Sequence, residues 1–254
     1  MPLAPSELRV LVEAYLDELA LTPELGSLSE PMRHALGGKR VRPVLCLATG
    51  EALGARPEGL LPAAAAVELV HSFSLVHDDL PSLDDDRERR GAPSVWAQYG
   101  EATAILAGDA LLAEAFRLAL SYPTGAVARE LVEATLGMIG GQWLDIRGEG
   151  ARDELHRLKT GALFSAPVGC ALAAVEVPAA EQAPWRAFAS ELGLLFQIVD
   201  DILDGDGVVL DVGVDDARRQ VDEVVERTHA RLAAIDADTV VLRDIVDGLA
   251  SRTA

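Results

Sequence analysis

Five stretches of this chain, residues 60–76, 102–120, 130–144, 161–175 and 187–203, are apolar on most faces and rich in Ala and Leu. They lack the aromatic and alternating β-branched patterns that strands prefer, and Ala and Leu are strong helix formers. Helices surrounded by other helices bury such segments on every side. Amphipathic segments flank them: Leu8, Leu11, Val12, Tyr15, Leu16 and Leu19 recur at helical spacing near the start, and Val221, Val224, Val225 and Leu232 near the end. Turn signals separate the segments at Gly37-Gly38, Gly54–Pro57, Gly91–Pro93, Tyr122–Gly125, Gly148–Gly150, Val177-Pro178 and Gly205–Gly213. There is no internal repeat, low-complexity tract or linker-like composition shift. The expectation is an all-α fold of about ten or more helices, one domain spanning residues 1–254.

The apolar runs are not membrane spans. Glu68, His71, His77, Asp109 and Glu114 interrupt them, so none offers the roughly 18 uninterrupted apolar residues that crossing requires. Acids outnumber bases 41 to 22, a net charge of −19, which argues against nucleic acid or an anionic membrane as partner. Cys46 and Cys170 sit in apolar surroundings without metal-ligand spacing and read as small buried hydrophobes in a reducing, cytoplasmic setting. The opening SELRVLVEAYLDEL lacks the basic-then-apolar order of a secretory signal.

Chemistry is concentrated in two aspartate clusters. HSFSLVHDDLPSLDDDRERRG, residues 71–91, carries Asp78, Asp79, Asp84, Asp85 and Asp86 directly after an apolar helical stretch. FQIVDDILDGD, residues 196–206, sets Asp200, Asp201 and Asp204 into a helix otherwise apolar on nearly every face, with Asp200 and Asp204 sharing a side at i, i+4. Charge buried without compensation is costly, so carboxylates on a buried helix call for a cation partner. All-oxygen donors suit magnesium, which binds one or two carboxylates per ion and completes its octahedron with water and substrate phosphate. Zinc would want His or Cys; His71 and His77 stand six residues apart, not at the i, i+4 spacing of a helical zinc pair.

The pair DDLPSLD and DDILD, with GGKRVRP at 37–43 and RRG at 89–91, resembles the short-chain trans-prenyl diphosphate synthases of the polyprenyl synthetase family. The resemblance runs from about residue 30 to residue 204 and continues more weakly to the end. It implies an isoprenoid-synthase bundle around a central apolar cavity. It also implies three magnesium ions per active site, with manganese able to substitute, and a homodimer. Asp78, Asp79, Asp84, Asp200, Asp201 and Asp204 would hold the metal; Asp78, Asp84, Lys159 and Asp200 would be catalytic. Lys39, Arg42, His71 and Arg90 would bind isopentenyl diphosphate, and Arg89, Lys159, Thr160 and Gln197 the allylic diphosphate. Lys39 and Lys159 are the only lysines among the 22 basic residues, and both fall on these positions. Gln142 and Asp145, in GGQWLDI, match a further family motif whose role could be functional or structural.

Phe73 precedes Asp78 by five residues, about 7.5 Å along a helix. In the family a bulky aromatic there, beside Ser74, forms a floor that limits the growing chain. The expected product is therefore farnesyl diphosphate (C15), with geranyl (C10) and geranylgeranyl (C20) diphosphates as alternatives. One departure stands out: where the family carries a lysine-bearing lid after the second motif, this chain reads GDGVVLDVGVDDARR, with no basic residue before Arg218. That leaves a noncatalytic subunit of a heteromeric synthase as the alternative function. A class I terpene cyclase fits less well, because DDILD is not its second metal motif.

Overall fold

The computed structural model describes residues 2–150, 155, 157–205 and 207–253, without the side chains of Thr160 and Thr253. Among the described residues the fold is twelve α-helices. They are α1 (Pro5–Asp17), α2 (Ser29–His34), α3 (Val41–Ala52), α4 (Leu61–Asp78), α5 (Val95–Tyr99), α6 (Glu101–Ala119), α7 (Ala126–Arg147), α8 (Ala162–Ala174), α9 (Ala183–Asp204), α10 (Val208–Val212), α11 (Val214–Ala233) and α12 (Val240–Ala250). The five apolar stretches correspond to α4, α6, α7, α8 and α9. Proline at the first or second helical position starts α1, α4 and α9, where its missing N–H costs nothing.

Helix α4 is the spine. Its Ala63–Ala66 run is fully buried and admits close neighbours, and it packs against α3, α6 and α8. Helices α7 and α8 pack together, and α9 lies between α8 and α11. Buried side chains from α1 to α12 form one contiguous core, which includes Cys46 and Cys170, both free thiols. No helix among the described residues is long and apolar enough to cross a membrane.

Two segments read as turns carry structure. Glu88–Arg89 and Ala92–Pro93 form a minimal antiparallel hairpin, β1 and β2. Within Gly205–Gly213 the chain makes the short α10, whose first N–H, from Val208, is accepted by Asp201 Oδ2 at 2.8 Å. Between α7 and α8 the residues Arg157–Gly161 wind as a π-helical turn, a geometry frequent at functional sites.

Candidate active site

A cavity of about 800 Å³ opens among α3, α4, α7, α8 and α9. Helix α4 supplies one wall: Glu68, His71, Leu75 and Asp78 recur at i, i+3, i+7 and i+10, all line the cavity, and they span about 15 Å of helix. Basic groups cluster at the Glu68 end and acidic groups at the Asp78 end, so the register of one helix separates two regions of opposite charge.

At the basic end Lys39, Arg42, His71 and Arg90 all line the cavity. Arg42 lies over the rings of Phe164 and Phe196, 4.4 and 5.5 Å from their centroids. Burial, with Arg90 adding repulsion, lowers its pKa to about 10, against the opposing pull of Glu68 and Asp200. Its Nε has no hydrogen-bond partner among the described residues. Arg90 donates to the Gly37 carbonyl and reaches His71 Nε2 at 3.3 Å. Burial, reinforced by Arg42, Arg90, Arg40 and Arg89, holds the His71 imidazole well below its ordinary pKa. A neutral imidazole among guanidinium groups with spare donors is chemistry suited to an anion with several oxygens.

At the other end Asp78 and Asp200 line the cavity. Burial pushes the Asp78 carboxyl up to about 6, with Asp84 and Asp79 adding to the shift and Lys159 and Arg89 opposing it. Asp200 is raised by burial, then by Asp204 and Asp201, against Arg252 and Arg42. Asp84 and Asp204 are exposed beside them. These are hard oxygen donors without thiol or imidazole among them, and the burial that raises Asp78 and Asp200 leaves those two carboxylates without full compensation. That donor set fits magnesium. Among the described residues, however, no three His, Cys, Asp or Glu side chains converge tightly enough to hold an ion alone.

Other expected site residues are committed within the protein. Asp79 is buried and accepts from Arg89, whose Nη2 also reaches Asp86 at 2.8 Å. Asp201 accepts from Gln197 Nε2 at 2.6 Å as well as from Val208, so its two oxygens close the turn after α9. Asp79, Arg89, Gln197 and Asp201 are absent from the cavity lining. Their carboxylates and donors are engaged with each other in local pairs. Lys159 lines the cavity and donates to Asp145; the Thr160 side chain falls outside the described residues. Phe73 and Ser74 line the cavity, Phe73 edge-on to His77 with centroids 5.1 Å apart. The apolar wall continues on α7 through Met138, Ile139, Trp143 and Ile146.

Two residues escaped sequence reasoning. Arg40, also in the cavity lining, is buried and ion-paired at the basic end. Arg252, in the 3₁₀ turn after α12, lines the cavity and acts on Asp200 from 52 positions downstream. It brings a cation to the acidic end that the segment after α9 does not supply.

A family model described as Polyprenyl synthetase matches residues 26–213. Geranylgeranyl diphosphate synthase of Cyanophora paradoxa is 36% identical, over 88% of this chain and 87% of that protein. Farnesyl diphosphate synthase of Escherichia coli is 40% identical, over 84% of this chain and 76% of that protein. Among solved structures, a geranyltransferase from Legionella pneumophila superposes with a TM-score of 0.85 at 30% identity, covering 98% of this chain and 94% of that one. An FPP/GFPP synthase from Zymomonas mobilis gives 0.83 at 31% identity, covering 97% and 99%.

Proposed function

This chain belongs to the polyprenyl synthetase family and is a prenyltransferase that elongates prenyl diphosphates, and we propose that it condenses isopentenyl diphosphate head to tail with dimethylallyl or geranyl diphosphate to give chiefly farnesyl diphosphate. The observation that carries this reading is the polarity of the cavity lined by α3, α4, α7, α8 and α9. A basic end and a carboxylate end face each other across one apolar chamber, which is what two diphosphate substrates of unlike handling require.

In this reading Lys39, Arg42, His71 and Arg90 hold the isopentenyl diphosphate by direct charge-assisted hydrogen bonds. Asp78, Asp84, Asp200 and Asp204 would hold magnesium. When bound, the metal supplies Lewis-acid stabilisation of the departing diphosphate. Lys159 turns its ammonium to the allylic diphosphate, and the allylic C–O bond breaks heterolytically, its electron pair leaving with pyrophosphate. The isopentenyl double bond attacks the allylic cation, and the proton lost from the adjacent carbon passes to the released pyrophosphate. Phe73, Leu75, Met138 and Leu163 give the cation and the growing chain a water-poor, apolar wall. Phe73 sets the chain length.

The protein acts in the cytoplasm as a homodimer; the exposed apolar residues Val132 and Leu136 along α7 support an association through that face. Asp78→Ala and Asp200→Ala test the reading. Each should lower turnover by about 10³-fold or more with the helical circular dichroism unchanged. Turnover near the parent level in either variant would refute the metal assignment.

A further inference from the structure

Between Lys39 and Arg42 of GGKRVRP stands Arg40, which borders the same cavity but commits its guanidinium to acceptors within the protein. It is 5% exposed and its backbone is left-handed, φ 58°. Its Nη1 donates to Glu68 Oε1 at 2.7 Å and to the Gly37 carbonyl at 3.2 Å. Its Nη2 donates to Glu13 Oε2 at 3.1 Å and to the Leu36 carbonyl at 2.5 Å. One guanidinium thus ties α1, α4 and the loop before α3 together. A left-handed conformation at a side chain other than Gly persists only where its surroundings over-determine it, and four hydrogen bonds do so here.

Glu68 is 2% exposed and lies one turn before His71 on α4. The helix that presents the imidazole therefore also grips the loop that presents Lys39 and Arg42. Buried ion pairs are poor stabilisers compared with apolar residues of the same shape, but they fix geometry. The same carboxylate opposes the mutual repulsion of Arg42 and Arg90.

We propose that Arg40 and Glu68 are positioning residues for the isopentenyl diphosphate pocket, locking residues 37–40 so that Lys39 and Arg42 aim together with His71 at one anion. The inference rests on the assignment of that pocket made above. The acidic end of the cavity has no share in this lock, so loosening it should affect one substrate and spare the other.

The test is steady-state kinetics of Glu68→Gln and Arg40→Lys, with isopentenyl and geranyl diphosphates varied separately at saturating magnesium. Glu68→Gln keeps the volume and removes the charge; Arg40→Lys keeps the charge and loses the fork. The expected result for both is a rise of about tenfold or more in KM for isopentenyl diphosphate, with kcat and KM for geranyl diphosphate within about twofold of the parent. Equal rises in both KM values, a fall in kcat alone, or unchanged kinetics would overturn the proposal. Loss of the folded state in both variants, read by circular dichroism, would assign the pair to bundle stability and overturn it as well. A parent protein that condenses neither substrate would instead refute the function itself.

Discussion

The guanidinium of Arg90 lies across Gly38, so close that a Cβ at that position would stand 2.8 Å from its Cζ and Nη1. Gly38 also has φ 133°, outside the range that L side chains readily adopt. Gly38→Ala should therefore strain the loop by about 1–3 kcal/mol and push Arg90 off the cavity wall. The expected signature is a raised KM for isopentenyl diphosphate with a modestly lowered Tm. An unchanged KM would show that Arg90 does not take part in that pocket.

Phe73 is 7% exposed and lines the apolar cavity five residues, about one and a half turns of α4, before Asp78. Phe73→Ala should open space for further condensations and shift the product from C15 to C20 or longer, measured by chromatography of the dephosphorylated alcohols. Truncation in the core should cost about 3 kcal/mol of stability, measured by urea denaturation. A product distribution that does not lengthen would put the floor elsewhere.

His71 is predicted to stay neutral over the range in which an ordinary imidazole, with a pKa of about 6.5, takes up its proton. Because burial and the neighbouring arginines depress the folded-state pKa, the unfolded chain binds this proton more readily than the folded one. Stability from this residue is complete above about pH 6.5 and is lost as pH falls towards the folded-state value. The His71 ring resonances should stay flat in NMR between about pH 7.5 and about pH 5.5, and His71→Gln should lessen the acid loss of stability. A titration midpoint near the ordinary value would contradict the placing of His71 among these arginines.

Gly141 lets α7 pass the π-helical turn: a Cβ there would stand 2.4 Å from the Lys159 backbone nitrogen and 2.7 Å from its Cα. Backbone cannot yield as a side-chain tip can. Gly141→Ala should lower stability by about 2 kcal/mol or more and, by displacing Lys159, reduce kcat. A variant with parent stability and parent kcat would mean that the approach of α7 to Lys159 is not needed.

The helical bundle was legible because the apolar stretches are long and unlike strands, and the two ends of the cavity because aspartates and basic residues recur in motifs with fixed spacing. What stayed hidden depends on burial and distance. Arg40 stands between Lys39 and Arg42 and carries the same charge as both; only its burial against Glu68 separates an anchor from a ligand. Asp79 and Asp201 each adjoin a cavity-lining aspartate in sequence, yet a helix turns successive residues by about 100°, which leaves them free to meet Arg89 and Val208. Helix α10 forms where Gly205–Gly213 read as a turn because a carboxylate seven residues upstream caps it. Arg252 is an isolated basic residue near the end of the chain, without a local pattern to mark it.

The most direct test of the account is incubation of the purified protein with Mg²⁺, isopentenyl diphosphate and, in separate reactions, C5, C10 and C15 allylic diphosphates, followed by product analysis. The account predicts farnesyl diphosphate from the C5 and C10 primers, with one pyrophosphate released for each condensation, and little extension of the C15 primer. Absence of condensation with all three primers would contradict it and favour a noncatalytic subunit.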